Sequence, residues 1–175
     1  MRVSKLTGII IVLFMIINWS CTDPAIAFSD WKQQNEAYFA NMKDSSDFTL
    51  CTLPDTLGGY KFYCKIIEHG DSLSKSPLPT SSVTINYRGS LIDETVFDET
   101  YTGTTPIGDN NAKPRIFKVN HTILGMYKNL ETMKVGEIRS IVIPQELGYC
   151  IEGVGKAVPP FSTLRFDIQL ISVKN

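Results

Sequence analysis

Cysteine and histidine are the side chains in this sequence that could bind a metal or act as a nucleophile and its base, and their spacing favours neither role. The four cysteines are residues 21, 51, 64 and 150, and the two histidines are His69 and His121. No two cysteines have the short C-x₂-C spacing of a zinc site, and no Ser/His/Asp or Cys/His set is evident. The sequence therefore implies neither a metal site nor a cofactor.

An apolar residue is the second candidate for chemistry, because Met126 lies in the amphipathic run "ILGMYKNL" at residues 123–130. Apolar residues recur there with the spacing of one helix face, namely Ile123, Met126, Tyr127, Leu130 and Met133. Thr122 is predicted to cap the N-terminus of this helix, and Gly136 to end it in a left-handed conformation. Met126 would then face the rest of the chain, either as ordinary core filling or as the floor of a pocket.

The elements that must position this helix are predicted β-strands at residues 60–67, 83–89, 136–144 and 163–170. The last is the clearest, because apolar residues alternate with polar ones and share one face: Leu164, Phe166, Ile168 and Leu170. That pattern is typical of an antiparallel strand with one solvated face. One helix among about five strands predicts an α+β fold, in which a single curved antiparallel sheet wraps around the helix.

A shorter helical pattern precedes the strands, at residues 29–43, with Ser29 or Asp30 as a plausible N-cap. Its aromatic residues, which include Trp31, would pack onto the domain or act in a spacer, and the alternative is that they bind a partner. Residues 44–59 contain Ser, Asp, Pro and paired Gly, which favours an irregular connection.

The N-terminus has the pattern of an export signal. Arg2 and Lys5 precede an apolar stretch at residues 9–17, which is too short to cross a bilayer, where a helix needs about 20 residues. Cys21 follows the small residue Ser20, and this junction resembles the lipobox of bacterial lipoproteins, in which the cysteine is lipidated. The resemblance implies a protein anchored by lipid to a membrane of the bacterial cell envelope, on its periplasmic or surface side. Simple cleavage and an uncleaved anchor are the alternatives.

Charge and composition exclude some function classes. The chain of 175 residues has 17 Lys and Arg against 18 Asp and Glu, and it loses two of the basic residues with the signal. No basic stripe suitable for nucleic acid appears, so no nucleic-acid partner is expected. In an exported protein disulfides can form, and Cys51 with Cys64 is the favoured pair.

Five stretches, taken in order, resemble the FKBP family of peptidyl-prolyl cis-trans isomerases. They read "VTINYRGSL", "VFDET", "FKVNHTILGM", "LETMKVGEIRSIVIPQELGYC" and "AVPPFSTLRFDIQLISV". The resemblance covers about residues 59–175 and implies a half-barrel sheet curled around its helix. The predicted organisation is a lipoprotein signal peptide at 1–20, then the lipidated N-terminus, short helix and linker at 21–58, and an FKBP-like domain at 59–175.

The resemblance also implies an apolar pocket that holds a proline ring, and it places particular residues there. The pocket walls and floor would be Tyr87, Phe97, Asp98, Ile123, Met126, Tyr149 and Phe166, and the loop above would contribute Val154, Ala157 and Val158. The implied partners are proline-containing polypeptides and macrolide ligands. The implied activity is peptidyl-prolyl isomerisation that assists the folding of exported proteins. The alternative is a non-catalytic relative that binds peptides or acts as a chaperone through the same pocket.

Individual roles follow from the same resemblance. The backbone N–H of Ile123 and the hydroxyl of Tyr149 would donate to substrate carbonyls. Asp98 would either interact with the carbonyl dipole of the twisted peptide or hold Tyr87 in place, and the second role is favoured.

Three departures from the family pattern bear on activity. Met126 stands where the family usually has tryptophan, and a flexible thioether specifies shape less well than a rigid indole. Cys150 replaces a glycine at a position where a left-handed conformation is expected. Glu94 follows Asp93 where the family often has Asp-Gly in a turn.

Overall fold

The computed structural model describes residues 23–52, 59–104, 109 and 111–175, so the predicted signal and Cys21 lie outside the described residues. Three α-helices are present in the described residues: α1 Pro24–Ala27, α2 Ser29–Asn41 and α3 Leu124–Leu130. The strands are β1 Thr49–Thr52, β2 Lys61–Glu68, β3 Ser82–Ser90, β4 Val96–Glu99, β5 Arg115–Lys118, β6 Ile138–Ile143 and β7 Leu164–Lys174. None of the helices seen in these ranges is long and apolar enough to cross a membrane.

The strands form one curled antiparallel sheet, which confirms the predicted α+β fold. Its order is β1-β2-β6-β7-β3-β4, and β5 also pairs with β3. Along one edge of β3, residues 82–85 pair with β5 and residues 88–90 pair with β4. The other edge of β3 pairs with β7 over its whole length. Strands β3, β4, β5 and β7 therefore lie together at one end of the sheet.

Strand β6 is buried along its whole length, and a helix packs against the sheet on each side of it. On the inner face, α3 approaches so closely that a Cβ added at Gly125 would lie 2.7 Å from Cγ2 of Ile143. On the outer face, Val142 pairs with Tyr63 of β2, and the ring of Phe39 in α2 stands edge-on to Tyr63 at 5.2 Å. Helix α2 therefore packs onto the domain, which was one of the predicted alternatives.

The predicted ends of the pocket helix were wrong. The N-cap position of α3 is Ile123, and the Thr122 hydroxyl instead donates to the carbonyl of Val119 at 2.8 Å. Gly136 does adopt a left-handed conformation (φ 88°), but it lies in the turn before β6, well beyond the end of α3 at Leu130. A tertiary contact explains this turn, because the Gly136 N–H donates to the carbonyl of Leu170 at 2.7 Å.

The N-terminal segment also corrects two expectations. Helix α2 has Phe28 at its N-cap position without a side-chain hydrogen bond, so neither Ser29 nor Asp30 caps it. The segment predicted to be irregular contains β1, which pairs with β2 and whose Cys51 forms the predicted disulfide with Cys64. A four-residue strand is too short to show an alternating pattern, so its place depends on this pairing and cross-link. The domain boundary at residue 59 stays a prediction.

Candidate functional site

A cavity of about 220 Å³ lies between the curled sheet and the first turn of α3. Residues of β3, β4, β5, β7, α3 and the loop after β6 line it: Ile85, Tyr87, Phe97, Asp98, Phe117, His121, Thr122, Ile123, Met126, Tyr149 and Phe166. All seven residues predicted for the walls and floor are among them. The structure therefore brings these seven side chains together, although Tyr87 and Phe166 lie 79 positions apart in the sequence.

Aromatic rings form the apolar walls of the cavity. Phe97 and Phe166 meet edge to face, with centroids 5.6 Å apart, and Tyr87 and Phe117 do the same at 5.8 Å. Such pairs contribute about 0.5–1.5 kcal/mol beyond the area they bury. Gly89 of β3 makes the first pair possible, because a Cβ there would lie 2.5–2.8 Å from both rings.

The polar edge of the cavity is a hydrogen-bonded group of three side chains. The hydroxyl of Tyr87 donates to Asp98, and Nη1 of Arg115 donates to Tyr87 Oη at 2.6 Å and to Asp98 Oδ2 at 2.9 Å. Burial, together with the neighbouring Asp98 carboxylate, raises the pKa of Tyr87, so the phenol stays neutral. The contact that was expected to hold Tyr87 in place is thus present.

Sequence reasoning missed Arg115 as part of this group. It lies two residues before Phe117 in β5, and alternation along a strand places both side chains on the same face. Strand alternation would therefore have placed Arg115 beside Phe117 if β5 had been predicted as a strand. His121 and Thr122 were missed as lining residues although they lie within the quoted segment "FKVNHTILGM".

Two hydrogen-bond donors at the cavity remain available for a ligand. Among the described residues, neither the backbone N–H of Ile123 nor the hydroxyl of Tyr149 has an acceptor. Ile123 is at the N-cap of α3, where the first N–H groups of a helix have no intrahelical partner. Burial, and secondarily Asp98, raises the pKa of Tyr149, so this hydroxyl keeps its proton.

Met126 belongs to both the core and the cavity. Its side chain is only 5% exposed and packs in the main hydrophobic cluster, yet it also lines the cavity floor. The two interpretations of this residue are therefore compatible.

The loop residues predicted to lie above the pocket do not line the cavity. Val158 lies on the same loop but is 2% exposed and packs in the hydrophobic core, and its part in substrate binding stays a prediction. Val154 and Ala157 are exposed, and a hydrogen bond from the Val154 N–H to the Val158 carbonyl closes the loop at 2.8 Å.

Two of the three family departures adopt left-handed backbone conformations. Cys150 has φ 52° and Glu94 has φ 67°, in the region that favours glycine. The left-handed conformation expected at Cys150 is confirmed, and Glu94 adopts the same conformation where the family often has glycine. A residue with a Cβ costs about 1–2 kcal/mol in this conformation.

Replacing Cys150 with glycine is expected to raise the free energy of unfolding by about 1 kcal/mol, because glycine removes the steric cost of the left-handed backbone. Denaturant titration of both proteins would measure it. Cys150→Ala is the matched control, since it also removes the thiol but keeps a Cβ, and it should give no gain. Equal stability of the glycine and alanine variants would contradict the explanation.

Comparison with known proteins extends this picture. Residues 74–171 match the family described as FKBP-type peptidyl-prolyl cis-trans isomerase. The FKBP-type 22 kDa peptidyl-prolyl cis-trans isomerase of Escherichia coli is 36% identical over 118 residues, which cover 67% of this chain and 52% of that one. The outer membrane protein MIP of Legionella longbeachae is 37% identical over 110 residues, which cover 63% and 43%. The chain thus spans about half the length of these curated relatives.

Solved structures agree with the fold. The crystal structure of FkpA from Escherichia coli superposes with a TM-score of 0.69 at 28% identity, covering 86% of this chain and 62% of that one. A peptidyl-prolyl cis-trans isomerase from Pseudomonas syringae gives a TM-score of 0.67 at 24% identity, covering 85% and 96%. At that identity the second likeness concerns the fold alone. Both alignments cover a larger share of this chain than the matched family region does.

Proposed function

Because the chain belongs to the FKBP-type peptidyl-prolyl cis-trans isomerase family, we propose that it catalyses rotation about the peptide bond before proline in polypeptide substrates. The observation that carries this proposal is an aromatic cavity with two free hydrogen-bond donors at its edge. The cavity would take the proline ring, and the donors would bind the carbonyls on either side of it.

The reaction suits a site of this kind. Rotation faces a barrier of about 18–20 kcal/mol, because resonance gives the C–N bond double-bond character. The planar amide is strongly dipolar, and the twisted transition state has lost that resonance. Transfer from water to an apolar slot therefore raises the energy of the ground state more than that of the transition state. The paired rings of Phe97 and Phe166 supply this slot, and the reaction needs no nucleophile.

The polar residues would orient the peptide. The Ile123 N–H and the Tyr149 hydroxyl would each donate to a substrate carbonyl, which fixes the proline ring over Met126. Asp98 would act by holding Tyr87, because its carboxylate already accepts from Tyr87 and Arg115. Val154 and Ala157, which are exposed, would contact the substrate outside the cavity rather than the proline ring itself.

We also propose that the protein works in the bacterial cell envelope, anchored through lipid on Cys21, and assists the folding of exported proteins. The signal pattern before Cys21 supports this, and a Legionella longbeachae relative is named an outer membrane protein. The Cys21→Ser variant should fail to mature and to fractionate with membranes. Mass spectrometry that finds an unmodified N-terminus at another residue would refute the anchor.

The direct test of function is a prolyl-peptide isomerisation assay on residues 22–175. A rate proportional to protein concentration and blocked by a macrolide ligand is expected. Binding of a prolyl peptide without any rate enhancement would instead establish the non-catalytic alternative, in which the same cavity holds peptides for a chaperone or binding role.

Met126→Trp is expected to raise kcat/KM, because a flat and rigid ring would replace a flexible floor under the proline. The measurement compares kcat/KM and the unfolding midpoint of the two proteins. If Met126 acts only as core, tryptophan would overpack the site, cost about 1–3 kcal/mol and improve neither activity nor macrolide affinity.

A further inference from the structure

One face of helix α2 contacts the segment that begins strand β7. Trp31 and Asn35 lie one turn apart on that face, and Nε1 of Trp31 donates to Ser162 Oγ at 3.0 Å. Oδ1 of Asn35 accepts from the Thr163 N–H at 2.7 Å, and Thr163 Oγ1 donates back to the Asn35 carbonyl at 3.2 Å. Asn35 is only 1% exposed, so its buried amide depends on these partners.

The contacted segment closes the loop that follows the cavity residue Tyr149. The Phe161 N–H donates to the Cys150 carbonyl at 2.9 Å, which joins the two ends of this loop. Ser162 Oγ, the acceptor for Trp31, donates in turn to the Pro159 carbonyl at 2.7 Å. Two hydrogen bonds, joined by the peptide link between Phe161 and Ser162, therefore connect α2 to Cys150, the residue beside Tyr149.

The loop ends are held in conformations that need outside support. Phe161 has φ 64° and Cys150 has φ 52°, and residues with a Cβ cost about 1–3 kcal/mol there unless their surroundings fix them. The ammonium of Lys32 in α2 lies 5.2 Å from the centroid of the Phe161 ring. Helix α2 thus contacts Phe161 directly through Lys32, and Phe161 is in turn hydrogen-bonded to Cys150.

We infer that Trp31 and Asn35 are positioning residues for the proposed isomerase, because α2 fixes the loop ends and thereby the Tyr149 hydroxyl over the cavity. This inference rests on the proposed function and extends it to a helix outside the matched family region, which begins at residue 74. Without α2, the loop would relax from its strained conformation and the Tyr149 donor would lose its fixed place.

Trp31→Phe tests this in the full-length chain, because phenylalanine keeps an aromatic ring and removes only the donor to Ser162. We expect kcat/KM to fall about 3- to 10-fold, mainly through KM, since one of the two connecting hydrogen bonds is lost. Amide hydrogen exchange in residues 150–161 should become faster. Ser162→Ala also removes the bond to the Pro159 carbonyl and should have at least as large an effect, and the double variant should be no worse than Ser162→Ala alone, as expected for coupled residues.

Phe39→Ala is the matched control, because the ring of Phe39 packs edge-on against Tyr63 in β2 and takes no part in the hydrogen bonds to Ser162 and Thr163. It should lower the unfolding midpoint and leave both KM and loop exchange unchanged. Unchanged loop exchange in Trp31→Phe, or an equal rise in KM for Phe39→Ala, would overturn the inference. Because exchange is measured without substrate, it tests the positioning even if the wild-type protein proves inactive, a result that would overturn the proposed function instead.

Discussion

Replacing Phe166 with alanine is expected to bring isomerase activity close to the uncatalysed rate and to lower the free energy of unfolding by about 3–5 kcal/mol. Phe166 is 3% exposed, packs in the core and forms one wall of the cavity against Phe97. Its loss would leave a void where the proline ring should be held and would admit water. Denaturant titration measures the stability, and kcat/KM is measured at a temperature where the variant stays folded.

A second variant covers the case in which Phe166→Ala fails to fold. Gly89→Ala keeps both rings but places a methyl group within 2.5–2.8 Å of Phe97 and Phe166, so the wall must shift. We expect at least about a 10-fold loss of kcat/KM, because small displacements of binding groups strongly reduce catalysis. Folded variants of either kind with wild-type activity would show that catalysis does not use this cavity.

Removing the disulfide by the double replacement Cys51→Ser and Cys64→Ser is expected to lower the free energy of unfolding by about 3 kcal/mol. The bond closes a loop of 13 residues, and loops of about that size gain roughly this amount from the restricted unfolded chain. It also holds the short edge strand β1 on the sheet. Unfolding of the wild type with and without reductant should show the same difference.

Cys150→Ser is the control for this experiment, because Cys150 is an exposed free cysteine in the described part of the chain. It should change stability by no more than about 0.5 kcal/mol, as is usual for surface substitutions. A wild type whose unfolding midpoint does not respond to reductant would mean that the cross-link contributes nothing to stability.

The elements predicted correctly from the sequence are those in which apolar residues recur at a regular spacing over a continuous segment. The strand at residues 163–170 and the helix near Met126 were both found, because at least seven residues in each follow its period. Strand β1 was missed, since its four residues depend on pairing with β2. Helix ends were also missed, because the Thr122 hydroxyl donates back to the Val119 carbonyl instead of capping the helix and Gly136 donates to the distant Leu170 carbonyl.

The candidate site could be predicted only through the order of its motifs. Nothing in the local sequence brings Phe97 next to Phe166, since their contact depends on both strands pairing with β3. Arg115 was missed because β5, the strand that places it beside Tyr87 and Asp98, was not among the predicted strands. The sequence also could not show that the loop of Val158 closes on itself through a backbone hydrogen bond or that this side chain packs in the core.

The docking of α2 limits how far the cavity can travel from a membrane. If lipid is attached at Cys21 as proposed, only Thr22 lies between it and Asp23, the N-cap of α1, and these two residue steps reach about 7 Å at full extension. A flexible tether of 40 residues would reach about 35 Å. With α2 packed on the sheet, the cavity would stay at the bilayer surface. It would meet mainly chains that are just emerging there and would search for them in two dimensions.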